Sequence, residues 1–311
     1  MHRRLVLLLL IWLIAAVSAS AAESQVVRIG YQKSGALLLV KAEGGLEKRL
    51  AALGWSVTWS EFSNGAPLIE AIDGGSIDLG HAGDGAAVFA QANGKRIRYL
   101  ACTEASPASI ALITRKSSPI DEVSALKGKT IGVAKGTSGH YFALCALAAA
   151  GLKPADVTWA WLSPADARAA FESGAIDAWA VWDPFLAAAQ VQADARVLHD
   201  GLGLTAFREF TIGAPAFAAA HPDVVLAFLA ELTEVGVRAR KDPAATAALL
   251  APYLGVELPV LALAEGRKLR YGALPIGDDV IAEQQKIADL FAANGLIAAS
   301  PHIADYVWAK P

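Results

Sequence analysis

The residues best suited to chemistry lie in one short run, Lys135-Gly136-Thr137-Ser138-Gly139-His140. Gly136 and Gly139 let a backbone approach a bound group closely, and Thr137 and Ser138 carry hydroxyls. The helix expected to follow offers unpaired N–H groups and the positive end of its dipole. That combination suits an anion held by neutral donors. The run lacks the Gly-Lys-Ser/Thr ending of a nucleotide-phosphate loop. A plain strand-to-helix turn with Ser and Thr as caps has the same composition, so the run gains meaning only from what stands opposite it.

Other candidates are dispersed. Gln32 and Ser34 offer amide and hydroxyl hydrogen bonds, and neutral donors suit an anion that must later be released. Gly83-Asp84-Gly85 resembles the first run, with Asp84 either capping the next helix or meeting an anion through an intervening cation or proton. Trp182 and Phe185 present apolar faces for a hydrocarbon portion, and Asp183 can meet a positive ligand group or Arg208 across a cleft. No Ser/His/Asp or Cys/His set converges on these runs. His81 and His140 are the histidines nearest them, and neither has a second ligand at metal spacing. No catalytic residue, metal or cofactor is expected. Cys102 and Cys145, the two cysteines, have no framework spacing and read as two buried thiols rather than a disulfide.

The elements that position these residues come in two copies. Ile29-Gly30-Tyr31-Gln32-Lys33-Ser34-Gly35 is echoed 102 residues later by Ile131-Gly132-Val133-Ala134-Lys135-Gly136-Thr137. Val57-Thr58-Trp59 returns 100 residues on, and Gly75-Ser76-Ile77-Asp78 returns 99 residues on as Gly174-Ala175-Ile176-Asp177. Short β-branched runs alternate with Ala- and Leu-rich helical stretches in each copy, which predicts two βαβαβα lobes with mainly parallel sheets. In lobe one, strands are expected at 26–30, 56–59 and 77–80, with helices at 36–53, 67–72 and 86–91. In lobe two, strands are expected at 129–133, 157–161 and 176–181. Helices are further expected at 222–240, 244–250 and 278–294, packing back on the first lobe.

Crossings at 97–114 and 208–214 divide the chain into a leader (1–22), lobe one (23–107 plus 213–311) and lobe two (108–212). Open parallel sheets bind ligands beyond the carboxyl ends of their strands. That rule selects the loops 31–35, 60–65, 81–85, 134–140, 162–163 and 182–184, facing one another across one cleft.

Residues 1–22 read as a secretory leader: Arg3 and Arg4, an apolar 5–16 segment, then small residues at 18–22. The apolar core falls short of the roughly 20 residues a spanning helix requires, so export to the periplasm is expected. The remainder carries 25 Lys and Arg against 30 Asp and Glu, with no basic run. That balance excludes nucleic acid as a partner class.

At these same loops the chain resembles, from 27 to 308, the periplasmic aliphatic sulfonate-binding proteins of ABC transporters, in the group that includes taurine and nitrate/bicarbonate binders. The resemblance rests on Ile29-Gly30-Tyr31-Gln32-Lys33, Trp59-Ser60-Glu61-Phe62, Gly83-Asp84, Pro164-Ala165-Asp166-Ala167-Arg168-Ala169-Ala170-Phe171, Asp177-Ala178-Trp179-Ala180-Val181-Trp182-Asp183-Pro184-Phe185 and Arg208-Glu209-Phe210. It implies an α/β, two-lobed type II periplasmic binding protein fold with the ligand cleft between the lobes. It implies a monomer that hands a small organic anion to a membrane permease, and a place in sulfur metabolism. Matching positions assign the ligand to Gln32, Gly83, Asp84, Thr137, Ser138, Trp182, Asp183 and Arg208, to which the reading above adds Ser34 and Gly136.

One departure is Gly85-Ala86-Ala87, where many members have Ala-Pro-Pro. Alternatives are a taurine, nitrate/bicarbonate or aromatic sulfonate binder, a ligand-sensing partner of a membrane receptor, or a desulfinase-like enzyme on the same fold. Such an enzyme uses a cleft cysteine, and the loop Tyr31-Gln32-Lys33-Ser34 has none.

Overall fold

Each copy of the repeat folds into three parallel strands separated by helices, and each recruits two further strands. The computed structural model describes residues 25–268 and 271–310, so the expected leader lies outside the described residues. In chain order come β1 (Gln25–Gln32), α1 (Ala36–Glu43), α2 (Gly45–Ala51), β2 (Trp55–Phe62), α3 (Gly65–Asp73), β3 (Leu79–Gly83), α4 (Asp84–Ala92) and β4 (Arg98–Cys102). The second copy supplies β5 (Ile110–Arg115), β6 (Thr130–Val133), α5 (Ser138–Ala149), β7 (Thr158–Trp161), α6 (Pro164–Ser173), β8 (Ala178–Trp182), α7 (Phe185–Gln192) and β9 (Ala195–Asp200). Then follow β10 (Glu209–Gly213), α8 (Pro215–Ala220), α9 (Pro222–Lys241), α10 (Pro243–Leu254), α11 (Leu258–Arg267) and α12 (Asp278–Ala293).

The two sheets have the orders β2-β1-β3-β10-β4 and β7-β6-β8-β5-β9. β1 pairs in parallel with β2 and β3, and β6 with β7 and β8. β10 runs antiparallel to β3 and β4, and β5 antiparallel to β8 and β9. The sheets are therefore mixed, and in each the reversed strand is the one by which the chain arrives from the other sheet. The second crossing accordingly precedes residue 209. Residues 208–214, read from sequence as that crossing, are mostly β10, and a boundary at 212/213 would cut this strand.

The expected helix over 36–53 is two helices, because Gly44 takes φ +66° and its N–H closes on the Val40 carbonyl at 3.2 Å. The tail packs as expected: α9 sets Val225, Phe228, Leu232 and Val235 into one core with Leu37 and Val40 of α1. On the opposite face Ile287 and Phe291 of α12 join Ala87 and Val88 of α4. Helices α8 and α11 were not foreseen. α11 bridges the lobes: Leu261 stays in the lobe-one core, while Val260 and Ala264 pack against Ala187 and Ala188 of α7.

The repeated Ile-Asp pair has a structural role. Asp78 accepts the Arg28 backbone N–H at 2.8 Å and, at equivalent positions of the second copy, Asp177 accepts the Thr130 N–H at 2.8 Å. Each carboxylate ties the approach to the third strand of its lobe to the first strand, and Asp78 also receives the Arg28 guanidinium. Ile77 and Ile176 are buried beside them. The third strands start at 79 and 178, two residues later than expected, because the Ile-Asp pair belongs to this tie. Removing a carboxylate that serves a part-buried donor costs roughly 1–3 kcal/mol. Asp78→Ala and Asp177→Ala should each lower the urea midpoint of unfolding to that extent, with a normal midpoint for either variant contradicting the role.

Candidate functional site

Parallel strands place the N-terminus of each following helix at the carboxyl edge of the sheet, and here four such N-termini meet around one pocket of about 550 Å³, its mouth included. Ser34 and Leu37 bring the start of α1, Asn64 and Gly65 that of α3, Gly83 and Ala86 that of α4, and Thr137 and Ser138 that of α5. Trp182, Phe207, His81, Ala82, Gln32 and Glu209 complete the wall. Five of the six loops selected from sequence contribute; 162–163 does not. The lining holds no Lys or Arg.

Six of the ten expected ligand residues line this pocket: Gln32, Ser34, Gly83, Thr137, Ser138 and Trp182. Gln32 is fixed by donating its amide to the His81 carbonyl at 2.9 Å. Thr137 donates its hydroxyl to the Ala134 carbonyl at 2.6 Å, and the Ser138 hydroxyl bonds to the Asp84 carboxyl. Both hydroxyls are thus engaged inside the protein. The groups left facing the pocket at α5 are main-chain N–H groups, since no side chain caps this helix.

The other four stand outside the lining. Asp84 is buried at the start of α4, where it accepts the Gly85 N–H at 2.7 Å and the Arg208 N–H at 3.3 Å. Burial pushes its carboxyl above the usual range against those bonds and the Ser138 hydroxyl. Gly136 turns at φ +72°, and a β-carbon there would lie 2.6 Å from the Phe89 ring. Asp183 and Arg208 do not meet. Asp183 pairs with Arg267 of α11 at 3.0 Å and accepts the Ala187 N–H, while Arg208 pairs with Glu283 of α12 at 2.8 Å.

The lobes touch main chain to main chain beside the pocket. A β-carbon at Gly85 would fall 2.6 Å from the Thr137 carbonyl carbon, and one at Gly83 would overlap the Ser138 hydroxyl. Glycine at these positions is what allows α4 and α5 to abut.

Sequence reasoning did not select Phe207 or Glu209 as ligand residues. Phe207 lies on the second crossing at φ +47°, a conformation that costs a residue with a β-carbon about 1–3 kcal/mol. It lines the pocket together with Trp182, so the crossing itself forms part of the wall. Glu209 is the pocket's one carboxylate. Burial would raise its pKa, but Lys268, His81 and the Ala36 N–H together bring it down to about 2. The Arg208-Glu209-Phe210 motif flagged this place, with the wrong member chosen to face the cavity.

Two α/β lobes, exchanging strands and closing on a pocket at their strand ends, define a type II periplasmic binding protein fold. The chain belongs to the NMT1-like family, which matches residues 20–252. It is 38% identical over 293 residues to an Escherichia coli (strain K12) protein named as an aliphatic sulfonates-binding protein, covering 93% of this chain and 91% of that one. The solved periplasmic aliphatic sulphonate binding protein SsuA from Escherichia coli superposes with a TM-score of 0.84 at 37% identity, over 92% of this chain and 93% of that one. The alkanesulfonate-binding protein SsuA from Xanthomonas axonopodis pv. citri, bound to MOPS, gives 0.87 at 37% identity, over 92% and 99%. These relatives are binding proteins, not enzymes.

His140 holds the α5 loop in shape. Its Nδ1 accepts the Gly136 N–H at 3.2 Å, and its ring lies 4.9 to 5.8 Å from those of Trp161, Trp159 and Phe291. Burial, assisted by Lys135, lowers its pKa to about 4. Neutral His140 therefore contributes stability present above the unfolded value of about 6.5 and lost as pH falls through the folded value. Melting temperatures between pH 7 and pH 4 should fall more steeply for the wild type than for His140→Gln; parallel curves would contradict this.

Proposed function

We propose that this chain is an exported solute-binding protein that captures an aliphatic sulfonate between its lobes and delivers it to an ABC permease. The observation that carries the reading is the convergence of four helix N-termini on a pocket without Lys or Arg in its lining. A sulfonate carries one charge over three acceptor oxygens. Neutral N–H donors at helix ends hold such a group without the lasting grip of an ion pair, whereas a phosphate ester calls for added Arg or Lys. Trp182, Phe207 and Leu37 offer the apolar wall that an alkyl chain needs.

Similarity to alkanesulfonate-binding proteins, one of them solved with the sulfonate MOPS, supports the same ligand class. The Arg-flanked apolar leader supports export to the periplasm, and the fold supports action as a monomer beside a permease. Gln32, Ser34, Gly83, Thr137, Ser138 and Trp182 are the ligand residues of this reading. Asp84, Asp183 and Arg208 act behind them by holding helix ends and lobes in place, and Gly136 by shaping the α5 turn.

A desulfinase-like reading finds no cysteine in the pocket lining. Cys102 sits in β4, where burial pushes its thiol up to about 11, and Cys145 lies on α5; neither lines the pocket. Among the described residues, no group of three His, Cys, Asp or Glu could hold a metal ion.

Calorimetry of the mature protein should show saturable binding of alkanesulfonates, with nitrate and phosphate monoesters weaker. Binding by no sulfonate overturns the proposal. The main-chain grip is tested separately with Ser138→Pro, because proline is tolerated at the first position of a helix yet removes its N–H. It should weaken sulfonate binding about tenfold beyond Ser138→Ala, roughly one charge-assisted hydrogen bond. Equal affinities would place the anion elsewhere.

A further inference from the structure

A second bridge joins the lobes beside the pocket, and it is built on α11. The chain on either side of this helix is anchored in lobe one: Leu250 of α10 and Leu261 sit in its core, and Leu274 exchanges main-chain hydrogen bonds of 2.7 and 3.0 Å with Cys102 of β4. The remaining face lies on lobe two, with Val260 and Ala264 against Ala187 and Ala188 of α7. Three of those four side chains are alanine, so the apolar contact buries little area. Much of the hold has to be polar.

Arg267, in the last turn of α11, supplies it. Its guanidinium donates to Asp183 Oδ1 at 3.0 Å and to Gln190 Oε1 at 2.6 Å, with the Arg267 and Asp183 side chains only 19% and 3% exposed. Asp183 directly follows Trp182 of the pocket wall, and its Oδ1 also accepts the Ala187 N–H in the first turn of α7. The clamp therefore acts on the strand end that faces the ligand. It is also incomplete: Asp183 Oδ2 and Arg267 Nε are covered from solvent without a hydrogen-bond partner, whereas a full Arg–carboxylate fork engages both oxygens. Each regains water when the lobes part, so the pair resists opening and still permits it.

Other charged groups face Asp183. Lys268 and Glu209 line one small cavity with it, and Lys268, Glu265 and Tyr271 line another. Burial pushes the Asp183 carboxyl up to about 7 against Arg267, the Ala187 N–H and Lys268, with Glu265 adding to the rise. A carboxyl whose pKa is higher when covered takes up a proton as it is covered, so acid favours the covered state. Without Arg267 an ionised Asp183 is stranded, and protonation relieves that loss.

We infer that Arg267 is a positioning residue for ligand retention: from α11 it clamps Asp183 and Gln190 of lobe two, and breaking this clamp sets the rate at which the lobes part and the ligand leaves. This rests on the pocket being the ligand site, as proposed above, and adds which contact governs release.

Stopped-flow tryptophan fluorescence with butanesulfonate, whose sulfonate stays ionised throughout, tests the clamp. At pH 8 Arg267→Met should release the ligand about tenfold faster than the wild type, the size of one lost charge-assisted hydrogen bond, with little change in the association rate. The ratio of release rates should shrink below about threefold at pH 5.5, where Asp183 is protonated. A substitution that only loosened the helix would keep the same ratio at both. Adding Asp183→Asn removes the stranded charge and keeps an acceptor for the Ala187 N–H, so at pH 8 the double variant should release at least about threefold more slowly than Arg267→Met. Unchanged release in Arg267→Met, a ratio that does not move with pH, or a double variant as fast as the single one each overturns this inference and leaves the sulfonate reading standing. If Arg267→Met does not fold, Arg267→Lys decides, because it keeps the charge and loses the fork that spans Asp183 and Gln190; release at the wild-type rate then overturns the clamp. Failure of butanesulfonate to bind the wild type overturns both readings.

Discussion

An anion taken out of water must be neutralised, and this chain brings no cationic side chain to the wall of its pocket. The architecture follows from that constraint. Partial positive charge has to come from helix ends, and a helix end reaches a ligand only where a parallel strand delivers it to the sheet's edge. Lobe one supplies three of these ends and lobe two the fourth, so the two sheets face each other across the pocket. Their approach at α4 and α5 brings Gly85 against the Thr137 main chain and Gly83 against the Ser138 hydroxyl. Arg208, the cation that sequence placed in the pocket, serves instead to hold α12 through Glu283.

Much of this was legible along the chain because it is local. The repeat of strand, glycine and helix pointed to both lobes, and five of the six loops chosen by the rule for strand ends line the pocket. What the repeat preserves most faithfully, the Ile-Asp pair, proves to be scaffold: Asp78 and Asp177 tie strands together. What it does not preserve lies at the pocket, where Thr137, Ser138 and Trp182 belong to the second copy only. Divergence between the copies was therefore the better guide to function than their agreement.

The features that escaped are long-range. β10 was read as a connection because the five-residue stretch Glu209-Phe210-Thr211-Ile212-Gly213 does not reveal that it inserts backwards between β3 and β4. Ion-pair partners are equally hidden: Asp183 finds Arg267, 84 residues away, and nothing in either local sequence says so. The first turn of α5 was legible as a helix start at the pocket, but not the fact that its hydroxyls are already committed to Ala134 and Asp84. Glu209 stood next to the residue chosen, and only strand register decided which of the two faces the cavity.

Gly85 has a wider meaning than its contact with Thr137. Alanine in place of this glycine would set one methyl group between two backbones. Such a methyl is a shim: it touches no ligand, yet its thickness fixes how far the two halves travel before they stop. In a receptor of this kind the width of the binding slot, and with it the length of molecule admitted, is adjustable from a residue that the molecule never meets. A single methyl there would change the slot without altering any residue of its lining.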